Sequence, residues 1–291
     1  MQLGGLPAGV PDCYSRPVTA EPRRPSFPRS AALCKVPEIT IYFWIAKLLS
    51  TAMGEATSDF LVYQIDPYVA VILGCLGFVA ALALQFWVRR YIAWIYWLAV
   101  VMVAVFGTMA ADVLHVVLHI PYVVTAGFFA ISLAAVFIVW YAAERTLSIH
   151  TIYTGRREFF YWTTVVATFA LGTAAGDLTA ATLGLGYGSS LVVFAIVFAV
   201  PGLAYWRFGL NGTFAFWFAY VVTRPLGASL ADWTGKSYLG GLGLGDGRVA
   251  VVLTMLIVIV VAYLSFSRVD TPEPHELQPD TTGASRSGVP R

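Results

Sequence analysis

Between Tyr96 and Asp112 the chain reads YWLAVVMVAVFGTMAAD, an apolar stretch with one glycine and a closing carboxylate. The spacing of this stretch occurs four times without a gap: an aromatic residue, Trp, nine residues, Gly, four residues and Asp. The copies are Phe43, Trp44, Gly54 and Asp59; Tyr96, Trp97, Gly107 and Asp112; Tyr161, Trp162, Gly172 and Asp177; and Phe216, Trp217, Gly227 and Asp232. They begin 53, 65 and 55 residues apart, which is room for two membrane helices each. Every copy therefore enters the membrane in the same direction, as a parallel repeat.

The composition of the chain is typical of a membrane protein. Of its 291 residues, 58% are hydrophobic and 12% are charged, whereas soluble domains carry about 25% charged residues. This excludes a soluble enzyme and a nucleic-acid-binding protein, and it makes the lipid bilayer the expected partner. Eight stretches reach the roughly 20 apolar residues of a membrane helix, and none alternates like a barrel strand. They are Glu38–Tyr63, Tyr68–Val88, Tyr91–Leu118, Pro121–Ala143, Phe159–Leu183, Ser189–Trp206, Gly212–Trp233 and Arg248–Phe266. We predict an all-α polytopic membrane protein whose eight transmembrane helices form a pseudo-fourfold bundle.

The two ends of the chain differ in composition from the middle. Residues 1–36 hold six of the 15 prolines and no apolar core of a signal peptide. We predict that they form a disordered cytoplasmic tail, and that residues 269–291 form a second one. The membrane domain is predicted to cover residues 37–268. Its repeats span about 37–90, 91–145, 157–208 and 211–268.

Basic residues are concentrated on one side of the predicted spans. That side carries 14 of the 18 Lys and Arg residues, whereas the opposite loops carry only Lys236 and Arg248. The other two, Lys47 and Arg224, fall inside spans. Because Lys and Arg accumulate in cytoplasmic loops, we expect both termini to be cytoplasmic.

The region from Lys35 to Arg268 resembles a bacterial membrane family built of four tandem two-helix repeats, the DUF347 repeat of unknown function. The resemblance rests on the four Trp, Gly and Asp sets and on the opening KVPEIT, residues 35–40. It implies the fold plan and a location in the bacterial cytoplasmic (inner) membrane. It implies no activity.

The motif positions fall on one face of each odd-numbered span. At 100° per residue, with Trp at zero, Gly lies at 280° and Asp at 60°, within a polar stripe about 140° wide. We expect these stripes to converge on a central axis, with the even-numbered spans outside. The ionisable groups of the stripes are five acids (Glu55, Asp59, Asp112, Asp177 and Asp232) and two bases (Lys47 and Arg224). The balance of −3, if all are ionised, favours a cationic substrate or proton exchange.

Each motif position has a physical role in this scheme. The tryptophans fit interfacial anchors, and the glycines permit close contact between helices. The aspartates are expected to line a substrate or ion pathway in the outer half of the bilayer. Alternatively they only hydrogen-bond neighbouring helices, and Asp232 faces water. Arg224 is expected to pair with Asp232, Asp59 or Glu55.

Three further features suggest specific local structure. Asp112, His115 and His119 share one helix face at i, i+3 and i+7, a set that suits a divalent transition metal. Pro225 is expected to break the seventh span just after Arg224. The glycine-rich segment 235–247 is expected to form a flexible hinge or lid outside the membrane.

These residues favour a transporter or exporter of a cation, either a divalent metal or a small organic cation, through a carboxylate-lined axis. The alternative is a structural or sensory membrane protein whose polar stripes only hold the helices together. The motifs of nucleotide binding, of serine hydrolases and of zinc proteases are absent from the sequence. Neither an enzyme nor a resident cofactor is therefore expected, and the oligomeric state stays open.

Overall fold

The computed structural model describes residues 34–272, which form eight α-helices and no strand. The helices are α1 (Ile41–Gln64), α2 (Pro67–Trp87), α3 (Ala93–Asp112), α4 (Tyr122–Glu144), α5 (Gly155–Asp177), α6 (Gly186–Phe208), α7 (Gly212–Gly235) and α8 (Asp246–Ser267). Six of them, all except α1 and α7, are long and apolar enough to cross a membrane. This fits a multi-pass membrane protein.

Helices α1 and α7 are long enough for a span, at 24 residues each, but they contain no stretch apolar enough to count among the six. Their charged side chains explain the difference, since α1 carries Lys47, Glu55 and Asp59 and α7 carries Arg224 and Asp232. Both helices are largely buried by their neighbours. A helix enclosed by protein does not need an apolar surface all round.

The four odd-numbered helices contact one another in a closed ring, α1 with α3, α3 with α5, α5 with α7 and α7 with α1. Each motif glycine lies at one of these contacts, against the residue seven positions after the Trp of the next repeat. The pairs are Gly54 with Ala104, Gly107 with Phe169, Gly172 with Arg224 and Gly227 with Thr51. A Cβ at any of the four would come within 3.0 Å of its neighbour. At all four motif glycines the neighbouring odd helices thus approach closely enough to leave no room for a Cβ.

The even-numbered helices lie outside this ring. Each packs chiefly on the odd helix of the following repeat: α2 on α3, α4 on α5, α6 on α7, and α8 back on α1. Their outward surfaces are apolar, with exposed side chains such as Leu76, Ile131, Ile196 and Ile259. Neighbouring repeats are thus interlocked, and the last helix completes the ring on the first.

Helix boundaries follow local capping chemistry. Thr40 and Thr154 accept hydrogen bonds from the first turns of α1 and α5, so α1 begins later than the predicted Glu38 and α5 earlier than the predicted Phe159. The predicted break at Pro225 is wrong, because α7 continues from Gly212 to Gly235. Departures from α geometry occur elsewhere, in π-helical turns directly after Asp112 and Asp177, at Val113–Val117 and Leu178–Thr182.

The ordered bundle extends beyond the predicted membrane domain at both ends. Val36 and Lys35 are buried, and Lys35 Nζ lies 2.5 Å from Oε2 of the buried Glu158. Asp270 is buried as well, and its carbonyl accepts a hydrogen bond from the Glu38 amide at 2.9 Å. Residues 34–36 and 269–272, which were predicted to lie in the tails, therefore belong to the folded bundle. Their remainders, residues 1–33 and 273–291, lie outside the described part of the chain.

Candidate functional site

An aromatic layer closes the axis of the ring at the end where the odd helices begin. The aromatic residue of each motif contacts the Trp of the next repeat. The ring-centroid distances are 5.7 Å for Phe43–Trp97, 5.6 Å for Tyr96–Trp162, 6.1 Å for Tyr161–Trp217 and 5.8 Å for Phe216–Trp44. Tyr96 and Tyr161 also share a hydrogen bond between their hydroxyls. We call Phe43, Tyr96, Tyr161, Phe216 and the adjacent Tyr220 the aromatic plug; all five are buried.

The interpretation of the motif tryptophans as interfacial anchors is wrong for three of the four. Trp97, Trp162 and Trp217 are at most 5% exposed and lie inside the bundle, where they pack against the aromatic plug. Trp217 Nε1 donates a hydrogen bond to the Leu147 carbonyl at 2.9 Å. Aromatic packing between repeats, a contact that a single-helix pattern does not reveal, determines their position.

Lys47 lies next to the aromatic plug and not among the carboxylates. Its ammonium nitrogen sits 3.9 Å from the ring centroid of Phe169 and 4.0 Å from that of Tyr220. The side chain is buried, and Nζ has no hydrogen-bond partner in the described region. Cation–π attraction is thus its principal favourable contact.

Arg224 joins all four odd helices in a polar layer beyond the plug. Its Nη2 lies within hydrogen-bond distance of Glu55 Oε2 on α1 at 2.6 Å, of Thr173 Oγ1 on α5 at 2.7 Å and of Thr108 Oγ1 on α3, so its two N–H groups are shared among three acceptors. Of the three partners considered from the sequence, the structure selects Glu55. These contacts bring together one polar group from each odd helix.

Lys236 is a site residue that sequence reasoning missed. It directly follows α7, and its Nζ lies 3.0 Å from Asp59 Oδ2 and 2.8 Å from Asp232 Oδ1. The alternative in which Asp232 faces water is therefore wrong, because this residue is only 3% exposed. The spacing of Asp232 and Lys236 at i and i+4 was the available signal. With Lys236 counted, five acids face three bases, and the balance of the axis becomes −2 if all are ionised.

Asp112 and Asp177, by contrast, make no hydrogen bond or ion pair with any other residue in the described region. Both line a cavity of about 600 Å³ at the end of the ring opposite the plug. Both also immediately precede the π-helical turns, a distortion that is frequent at functional sites. The four motif aspartates thus divide into one pair bridged by Lys236 and one pair without partners.

The wall of this cavity combines carboxylates with aromatic and aliphatic side chains. Glu55, Asp59 and Lys236 line it together with the two unpartnered aspartates. The aromatic part consists of five tyrosines, Tyr63, Tyr68, Tyr122, Tyr187 and Tyr238. Because Tyr63 and Tyr68 are 74% and 69% exposed, the cavity communicates with the outside of the bundle at this end.

The predicted metal set Asp112, His115 and His119 is not brought together. His115 stacks on Tyr122 with 3.5 Å between ring centroids, and its Nδ1 lies 2.9 Å from the Ile120 carbonyl oxygen. His119 follows the π-helical turn with a positive φ of 56°, so the assumed helix face does not exist there. In the described region, the group of three such ligand atoms that lie within 4.8 Å of one another comes from Glu55, Asp59 and Asp232.

The glycine-rich segment after α7 is folded back on that helix. The amides of Leu242, Leu244 and Gly245 donate hydrogen bonds to the carbonyls of Trp233, Thr234 and Gly235, at 2.6, 3.0 and 3.0 Å. Gly240, Gly243 and Gly245 adopt φ of +80°, +70° and +90°, values that glycine tolerates without a steric penalty. The segment is therefore an ordered cap beside Lys236, held by backbone bonds.

Comparison with known families agrees with this internal repetition. The family model described as Repeat of Unknown Function (DUF347) matches the chain four times in tandem, at residues 42–91, 95–146, 160–210 and 215–270. The chain belongs to the DUF347 repeat family. Each DUF347 match contains one complete Trp, Gly and Asp set. No curated protein and no solved structure matches the chain.

Proposed function

We propose that this DUF347 protein is a carrier that moves a cation across the membrane, and that it is not an enzyme. In this proposal all eight helices span the bilayer as four pseudo-symmetric repeats. The 24 residues of α1 and of α7 extend about 36 Å at 1.5 Å per residue, enough for a hydrocarbon core of about 30 Å. The closed cycles of glycine and aromatic contacts support the pseudo-fourfold arrangement.

The distribution of basic residues supports an orientation. With both termini in the cytoplasm of a bacterial inner membrane, the aromatic plug is near the cytoplasmic face. The cavity then faces the opposite side. The position of the cavity between outer loops fits a state in which a cation enters the cavity from outside the cell or leaves the cavity to the outside.

The observation that carries the proposal is the pair of unpartnered carboxylates, Asp112 and Asp177, in the cavity. A carboxylate at the centre of a membrane helix costs about 2.5–3.5 kcal/mol on insertion scales, which is an upper bound for Asp112 and Asp177 at the ends of α3 and α5. Protonation or a bound cation offsets that cost, and in the described region neither Asp112 nor Asp177 forms an ion pair with a basic residue. Binding a cation there stabilises the protein and positions the ion above the Arg224 layer.

A carrier accounts for the closed axis better than a channel does. The aromatic plug and the Arg224 layer fill the axis below the cavity with buried side chains. Passage therefore requires a second conformation in which the ring contacts rearrange, as in alternating access.

Flux measured in proteoliposomes tests the proposal. The purified protein is reconstituted, and movement of protons, Mn²⁺ and ethidium is followed with the wild type and with Asp112→Asn and Asp177→Asn. Loss of flux of at least one probe in both variants is the expected result. Asp66→Asn is the matched control, because Asp66 lies exposed at the same end and caps α2, a role that Asn also performs.

A structural or sensory role is the second candidate, favoured by the ion pairs of Glu55 with Arg224 and of Asp59 and Asp232 with Lys236. In that case the two Asn variants change unfolding and leave flux at the level of empty liposomes for every probe. This outcome overturns the carrier.

A further inference from the structure

We propose that the position of the Lys236 ammonium is a binding subsite for an organic ammonium ion, and that a ligand displaces Lys236 from it. The ligand class is a primary amine attached to an apolar or aromatic body. The inference names the substrate class of the proposed carrier and rests on that function for its physiological role, although the binding itself does not require transport.

The subsite is formed by two carboxylates, one from the first repeat and one from the fourth. Lys236 Nζ lies within ion-pair distance of Asp59 Oδ2 and Asp232 Oδ1. Neither of these two oxygens accepts a hydrogen bond in the described region, although the Asp232 side chain is only 4% exposed. The ammonium of Lys236 therefore neutralises the site without satisfying its geometry. A free ammonium ion, which has no tether, can align its N–H groups with both oxygens.

The surroundings of the subsite suit the rest of an organic cation. The Lys236 ammonium lies 5.4 Å from the Tyr187 ring centroid, within the range of cation–π attraction. The adjoining cavity of about 600 Å³ has aliphatic walls, such as Val71, Ile72 and Leu239, between its tyrosines. Its volume lies in the range of small-molecule sites, which are mostly apolar with a few placed polar groups.

The same wall is poorly suited to a bare divalent metal. Of the three carboxylates that approach one another, that of Glu55 is held by Arg224 and Thr108. Asp59 and Asp232 already face the ammonium of Lys236. A hard divalent ion needs about six oxygen ligands, and the remaining lining is chiefly aromatic and aliphatic.

Displacement of Lys236 does not require the backbone to move. Its amide is bound to the Asp232 carbonyl at 2.9 Å, and its own carbonyl accepts from the Gly243 amide at 3.0 Å. Rotation of the four-carbon side chain alone carries the ammonium out of the subsite and into the wider cavity. Lys236 thus acts as a tethered competitor of the ligand.

Chemical rescue of Lys236→Ala tests this inference in the purified full-length protein. The substitution removes the equivalent of n-propylamine, so n-propylamine is the probe and n-propanol its uncharged match, at constant ionic strength. The variant is expected to unfold at a lower temperature than the wild type, and n-propylamine is expected to restore the loss saturably, unlike n-propanol. Lys236→Arg, which keeps a cation in place, is the control that gains nothing from the amine.

Competition provides a second readout that does not depend on stability. Benzylamine is expected to bind Lys236→Ala about tenfold more tightly than the wild type, because the subsite is no longer occupied by the side chain. Adding Asp59→Asn to the variant is expected to abolish this gain.

Equal affinity of the wild type and the variant for benzylamine overturns the subsite. So does stabilisation by n-propanol to the same extent, or a stronger effect of MnCl₂ than of the amine. Should Lys236→Ala fail to fold, Lys236→Gln is titrated with benzylamine under the same criteria. Rescue without carboxylate-dependent flux overturns the carrier and leaves the subsite standing. Flux without rescue overturns the subsite and leaves the carrier standing.

Discussion

Nη2 of Arg224 on α7 donates a hydrogen bond to Oε2 of Glu55 on α1 across 2.6 Å, and neither side chain is more than 3% exposed. The first and last repeats are thereby joined at the centre of the bundle. Breaking a buried ion pair by removing one partner costs about 3–5 kcal/mol, because the other charge stays buried. The pair therefore makes the stability of the bundle sensitive to either single substitution.

We predict that Glu55→Met and Arg224→Met each lower the free energy of unfolding by about 3–5 kcal/mol. The double variant Glu55→Met with Arg224→Met is expected to lose much less than the sum, since no unpaired charge remains. Denaturant unfolding in detergent measures all three. Arg156→Ala is the control, because Arg156 is 65% exposed in its pair with Glu144, and exposed pairs contribute about 0–1 kcal/mol. Additive losses in the double variant would contradict the prediction.

Substitution of a motif glycine is expected to separate two odd helices. At Gly172 a Cβ would overlap the side chains of Arg224 and Pro225, so Gly172→Ala is predicted to lower the free energy of unfolding by about 1–3 kcal/mol. The matched control is Gly127→Ala in α4, where a Cβ meets nothing within 4 Å and the helix gains about 0.5–1 kcal/mol. Thermal unfolding of both variants gives the comparison, and a stabilised Gly172→Ala would refute the close contact.

The two pairs of aspartates are predicted to respond differently to neutralisation. Asp112→Asn and Asp177→Asn remove carboxylates without partners, so thermal stability is expected to stay equal or to rise. Asp59→Asn and Asp232→Asn leave Lys236 without one of its two carboxylates and are expected to lower stability. Differential scanning fluorimetry of the four variants ranks them. A drop of similar size in all four would mean that Asp112 and Asp177 also hold helices together.

Removal of an aromatic ring from the plug is predicted to open the axis. Tyr161 is fully buried and contacts Trp217 and the Tyr96 hydroxyl. Tyr161→Ala is therefore expected to raise the passive proton leak of proteoliposomes several-fold, since the void adjoins the axis. Tyr205→Ala, at a site that is 57% exposed on α6, is the control. An unchanged leak in a folded Tyr161→Ala protein would place the barrier in the Arg224 layer instead.

The repeat pattern was sufficient to predict the helices, the fourfold internal repetition and the face of each odd helix that carries the polar groups, because these depend on spacing along the chain. It could not predict contacts between repeats. The burial of Trp97 and the choice of Glu55 as the partner of Arg224 depend on which helix lies beside which. Lys236 was missed for a related reason, since α7 extends two residues beyond the predicted Trp233 and directs the following residue inward. The predicted metal set with His115 and His119 was wrong because a π-helical turn shifts the helical register after Asp112.

The packing of α8 on α1 has a consequence for the order of the repeats along the chain. Each even helix completes the surface of the next repeat, and the Glu38 amide is bonded to the Asp270 carbonyl, so the described ends of the bundle meet. A chain that starts at α3 and closes through a short linker from α8 to α1 would form the same neighbour pairs. Circular permutation is therefore compatible with this architecture, because every contact between neighbouring repeats would be kept.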